Sequence, residues 1–115
     1  MAMRLMLKLS IIIERKPPMS PIHPGRHLAE FIEEASLSPA KLAVALHVPR
    51  NRITRILRGE CTISVDMALR LGRFFNQTPQ FWLNLQMQYE TALTEQTGLR
   101  QKIHNDITPM GMVLA

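Results

Sequence analysis

Residues Ser38–Gly59 read SPAKLAVALHVPRNRITRILRG, and their spacing predicts two short helices with a tight break between them. Ser38 suits an N-cap, because its hydroxyl can accept from a helical N–H that has no partner in the helix. Pro39 suits the first helical position, where its missing N–H costs nothing. Leu42, Ala43 and Leu46 then recur on one helical face. His47-Val48-Pro49 stops that helix, since Pro49 has no N–H to donate and turns Val48 away from helical backbone angles. The second helix is expected over Arg50 to Arg58, with Ile53, Ile56 and Leu57 facing inward and Gly59 closing it in the left-handed conformation.

Charge in this stretch is one-sided. No carboxylate lies between Glu34 and Glu60, while Lys41, Arg50, Arg52, Arg55 and Arg58 all do. With the isoleucines inward, Arg50, Asn51 and Arg55 fall on the outer part of the second helix. A helix of this width fits the major groove of B-DNA, where Arg can bond guanine O6 and N7 in pairs and Asn can do the same to adenine N6 and N7. The reading is a helix-turn-helix whose second helix meets DNA bases. A merely solvated basic helix is the plainer alternative, but the break, the caps and the charge bias coincide.

Composition agrees. At 115 residues the chain is long enough for one small domain, and at 46% apolar it can bury a core. Aromatics are only 5%, and runs of Leu, Ile, Ala and Met point to an all-α fold. A net charge of +5 favours a polyanionic partner. A single cysteine, Cys61, excludes an internal disulfide and a cysteine-based zinc site.

Around the central stretch, the chain divides into an N-terminal extension (1–23), a helical domain (24–98) and a C-terminal tail (99–115). Met1 to Ile13 is apolar, broken by Arg4 and Lys8, and too short to span a bilayer. It reads as a pairing strand, a disordered leader, or an extension upstream of a start at Met19. Pro17 to Pro24 is an extended linker. The first helix is expected over Gly25 to Ala35, with Leu28, Phe31, Ile32 and Ala35 inward and Glu30, Glu33 and Glu34 on the solvated side. His23 and His27 have the four-residue spacing of a metal pair, but Pro24-Gly25 between them breaks the shared face, so no metal is expected.

Lys41 stands in a first helical turn, where a cation opposes the macrodipole. A DNA phosphate there would remove the conflict; Lys41 swinging into solvent is the alternative. Ser64 caps a fourth helix, Val65 to Phe75, whose face is Ala68, Leu71, Gly72 and Phe75, broadened by Leu69 and Phe74. Arg70 and Arg73 point elsewhere, toward phosphates or solvent. Thr78-Pro79 opens a fifth helix running to Gln96, with Trp82, Leu85, Tyr89, Ala92 and Leu93 in one stripe. Phe81, Leu83 and Met87 lie to its sides and predict either a two-fold dimer contact or a broader core. After Leu99, Pro109 and Gly111 argue against a stable helix. No catalytic constellation, phosphate-cradling loop or cofactor motif is present, so enzyme function and cofactors are not expected.

Three segments carry a family resemblance: HPGRHLAEFIEEASLSPAKLAVALHVPRNRITRILRG from His23, TISVDMALRLGRFF from Thr62 and TPQFWLNLQMQYE from Thr78. Together they resemble the HigA family of antitoxins, a branch of the phage-repressor-like helix-turn-helix proteins. FWLNLQ after a capped Thr-Pro is the most specific part. The resemblance implies a five-helix, lambda-repressor-like fold and a cytoplasmic, dimeric protein that represses its own operon through an inverted-repeat operator. It also implies a HigB-like partner toxin that cleaves messenger RNA. Base-reading roles would fall on Arg50, Asn51 and Arg55, and phosphate roles on Ser38, Lys41, Arg52 and Arg58. Three positions depart from the family pattern: Lys41 where Glu is common, His47 where the turn usually has glycine, and Glu60-Cys61 in place of a basic pair. A stand-alone repressor, or a protein-interaction module that keeps the helix-turn-helix only as scaffold, are the rival expectations.

Overall fold

A computed structural model describes residues 21–111 of the chain. The three readings of Met1 to Ile13, most of the linker before Pro21, and the last four residues lie outside the described residues. Six helices follow in order: α1 (Pro24–Glu34), α2 (Pro39–Leu46), α3 (Arg50–Leu57), α4 (Val65–Phe75), α5 (Pro79–Thr97) and α6 (Leu99–Asp106).

The helix ends follow local chemistry. Ser38 Oγ accepts from the Lys41 amide at the start of α2, and Ser64 Oγ accepts from the Met67 amide at the start of α4. Each satisfies an N–H that the helix itself cannot. α2 ends at His47, whose φ of 58° places a non-glycine residue in the left-handed region. Gly59, at φ 75°, turns the chain after α3.

One apolar core joins five of the helices. Leu28 and Phe31 (α1), Leu42 (α2), Ile53 and Ile56 (α3), Met67 and Leu71 (α4), and Trp82 (α5) are all essentially inaccessible to solvent. The Phe31 ring lies 5.5 Å from that of Trp82 and 6.1 Å from that of Phe81, edge-on to the latter. Trp82 Nε1 donates to Gln77 Oε1, so the indole is buried without an orphaned donor. The loop after α3 is pinned from α5, where buried Gln86 Oε1 accepts from the Ile63 amide at 2.9 Å.

Several expectations need correction. Leu69 and Phe74 do not broaden the core face of α4, because both are exposed; apolar character at adjacent positions overcounts a face that only i, i+3 and i+4 positions share. Met67 is the buried residue there instead. Phe81 is only 9% exposed and packs edge-on against Trp82 at 5.3 Å, so most of it is spent on the protomer's own core. Residues 99–106 are helical. Pro109 and Gly111 lie beyond that helix, and its short span is supported by Lys102–Asp106 and Gln101–Asn105 pairs at i, i+4.

His23 is not a half-formed metal ligand but the N-cap of α1. Its Nδ1 accepts from the Gly25 amide at 2.9 Å, and its Nε2 donates to the Cys61 carbonyl at 3.0 Å. The ring also stands edge-on to Tyr89 of α5, 4.9 Å away. Only the neutral tautomer protonated at Nε2 can make both bonds. Burial pushes the His23 imidazole below its ordinary value, against a smaller opposing effect of the Cys61 hydrogen bond. The unfolded chain therefore holds this proton more tightly than the folded one. The stabilisation is complete above the ordinary pKa of 6.5 and is lost as pH falls from there toward the depressed folded value. Urea midpoints of the wild type should fall between neutral pH and about pH 5, and His23→Asn, which keeps a capping acceptor but does not titrate, should flatten that fall. A parallel decline in both proteins would mean that other groups carry it.

Candidate nucleic-acid interface

α3 is held by two residues three positions apart. Ile53 and Ile56 are buried to 1% or less, fixing which side of this eight-residue helix faces the core. The opposite side follows from helical geometry. Asn51, Arg55 and Arg58 recur at i, i+4 and i+7, with Arg50 beside them, and all four are exposed. The predicted base-reading set of Arg50, Asn51 and Arg55 thus lies together on one open face.

The helix end adds to this charge. Pro49 precedes α3 and offers no side-chain cap, and the first turn contains no acidic residue. Its leading N–H groups and the positive end of its dipole are left for an anion. Ser38 and Lys41 lie together at the start of α2; Lys41 is exposed, and Ser38 keeps its hydroxyl hydrogen because its oxygen is the cap acceptor. Arg58 is exposed just past the end of α3.

Arg52 differs from the other predicted phosphate residues. One of its guanidinium nitrogens contacts Asp66 Oδ2 at 3.2 Å and donates to Ser64 Oγ at 3.2 Å. Arg70 is engaged as well. Its Nε donates to the same Asp66 oxygen at 3.0 Å, and a terminal nitrogen donates to the carbonyls of Leu46 at 2.7 Å and His47 at 3.3 Å. It therefore does not project into solvent as a free basic residue. A cation on the last carbonyls of α2 satisfies acceptors that the helix leaves open. The Arg70 hydrogen bond, reinforced by the charges of Arg70 and Arg52, holds the Asp66 carboxyl below its usual range. Sequence spacing shows Asp66 and Arg70 as an i, i+4 pair, but Arg52 and the α2 carbonyls are tertiary contacts that no local pattern reveals.

Of the side residues on α5, Met87 is 64% exposed, Leu83 is half-buried against the core, and Phe81 is inside it. Among the described residues, no group of three or more His, Cys, Asp or Glu side chains is placed to hold a metal ion. No helix among them is long and apolar enough to cross a membrane.

Known proteins share this arrangement. The helix-turn-helix domain family matches residues 25–80. Virulence-associated protein I of Dichelobacter nodosus is 44% identical over 82 residues, which span 70% of this chain and 76% of the relative. An addiction module antidote protein of the HigA family from Coxiella burnetii superposes with a TM-score of 0.73 at 44% identity, over 78% of this chain and 98% of that one. The Pseudomonas aeruginosa antitoxin HigA, solved with the higBA promoter, gives a TM-score of 0.71 at 45% identity, over 78% and 98% of the two chains.

Proposed function

The chain belongs to the HigA family of helix-turn-helix antitoxins, and on that premise we propose that it works as a homodimer in the cytoplasm, repressing its own operon and neutralising a HigB-like toxin. It is a DNA-binding antitoxin of a type II module. The observation that carries the DNA half is the open face of α3, where Arg50, Asn51 and Arg55 stand on a helix anchored by Ile53 and Ile56. Related antitoxins have been solved with promoter or operator DNA.

Two copies of α3 would enter successive major grooves on one side of the duplex, about 34 Å apart, so the operator is an inverted repeat. Arg50 and Arg55 would bond guanines and Asn51 an adenine, while Ser38, Lys41 and Arg58 would hold phosphates. The dimer seam would be built on α5 and α6 and not on Phe81. α6 has no buried residue within the protomer, and Leu99, Ile103 and Ile107 on it are exposed, as is Met87 on α5. A second copy covering Met87 and these residues supplies the burial that the protomer withholds.

Arg50→Ala and Arg55→Ala are each expected to weaken binding to the DNA upstream of the gene by about 1–3 kcal/mol and to relax the preference at one base pair per half-site. A mobility-shift titration against scrambled DNA checks this. Equal loss on both DNAs would reduce these residues to phosphate contacts. Co-expression with the adjacent open reading frame tests the toxin half, with rescued growth and co-purification as the expected result and unrelieved growth arrest the contrary one.

A further inference from the structure

We propose that Asp66, with Arg52 and Arg70, is a positioning device for operator recognition that sets the attitude of α3 against α2. This rests on the DNA reading above. The contacts form a continuous path: the α2 carbonyls of Leu46 and His47 accept from Arg70, Arg70 meets Asp66, and Asp66 meets Arg52 on α3. Arg52 is tied a second time to Ser64, the residue that caps α4. α4 thereby grips both helices of the helix-turn-helix at the turn between them. The backbone there offers little restraint of its own, since His47 adopts a left-handed conformation without being glycine.

Asp66 also sits where electrostatics alone would not put it. It is an exposed carboxylate bonded to a residue of α3, next to a basic surface meant for a polyanion. Removing its charge should strengthen attraction to any DNA, because one repulsive charge disappears. A positioning role predicts the opposite for the operator. Base bonds need paired donors in register, and a tilted α3 loses them while generic phosphate attraction survives. Arg52, on the same view, contributes through its hold on α4 and not as a phosphate ligand.

The test uses the full chain in three forms, Asp66→Asn, Arg52→Met and the double variant, titrated against operator and scrambled DNA over a range of salt. The expected result for Asp66→Asn is a fall of roughly tenfold in operator preference, the scale of one lost base contact, with scrambled-DNA affinity unchanged or higher. Arg52→Met should lower the preference similarly and leave the salt slope unchanged, whereas loss of a phosphate ligand such as Arg58 lowers the slope by about one. The double variant should be no worse than the worse single variant, because both break one path. Should Asp66→Asn melt below the assay temperature, Arg52→Met carries the test from the α3 side.

Two results would overturn the proposal: an Asp66→Asn protein that binds operator and scrambled DNA equally more tightly with preference intact, or an Arg52→Met protein with a shallower salt slope and equal loss on both DNAs. A wild-type chain with no operator preference would instead sink the DNA reading, and the proposal with it.

Discussion

Gly25→Ala is expected to destabilise the protein by at least the upper part of the ~1–3 kcal/mol that overpacking usually costs. In most helices the same change stabilises, by up to about 1 kcal/mol, because alanine loses less entropy on folding. Here the sign reverses. A Cβ on Gly25 would lie 1.9 Å from the Ile56 carbonyl oxygen and 2.9 Å from its carbon, both backbone atoms that cannot rotate aside. The first turn of α1 therefore rests directly on the last turn of α3. To admit one methyl group, α3 must shift bodily, which strains the Gly59 amide bond to that same carbonyl. The Gly25 amide also feeds the His23 cap, and the new Cβ would crowd His23 Nδ1 at 3.1 Å. A urea titration should show the midpoint falling. A rise would mean that α1 and α3 are not in backbone contact. Operator affinity, measured where the variant is still folded, should fall as well, since the displaced element carries Arg55.

Trp82→Ala is expected to cost about 3–5 kcal/mol, the range for truncating a large buried aromatic side chain. Trp82 is the largest side chain with no solvent exposure, and its ring meets Phe31, Phe75 and Phe81 at centroid distances of 5.3 to 6.3 Å. Its loss would leave a cavity between α1, α4 and α5 and strand the Gln77 acceptor. Small domains hold only about 5–15 kcal/mol in total, so the variant should be largely unfolded at modest urea. A loss below about 1 kcal/mol would show that the core collapses around the gap or that the indole is not central to it. Trp82→Phe separates the two contributions, because it fills most of the volume but removes the Nε1 donor.

Legibility in the sequence tracked the range of the interaction. Ser38, Pro39 and Ser64 announce helix starts because capping acts within three residues, and the structure has those starts. Ile53 and Ile56 mark the inward face of α3 through periodicity alone, which fixes the outward placement of Arg50, Asn51 and Arg55. The fates of polar side chains were hidden where partners are distant in the chain. His23 looked like one half of a weak metal pair, yet it caps α1 and reaches Cys61, 38 positions away. Arg70 looked like a solvated or phosphate-binding cation, yet it bonds carbonyls 23 and 24 positions back. Gln86 sits inside FWLNLQ, and its role in pinning Ile63 appears only once α5 and the preceding loop are in place. α6 escaped because breakers at Pro109 and Gly111 were read as acting on the whole tail. Phe81 was assigned outward because an apolar stripe does not say whether a second chain or the same one covers it.

Guanine N7 methylation protection on the DNA upstream of the gene tests the base-reading role of α3 most directly, since N7 lies in the major groove where Arg50 and Arg55 would bond it. Two protected patches on one side of the duplex, one helical turn apart, are expected, with Arg55→Ala exposing a guanine in each. Tight binding without N7 protection, or protection unchanged in Arg55→Ala and Arg50→Ala alike, would contradict it.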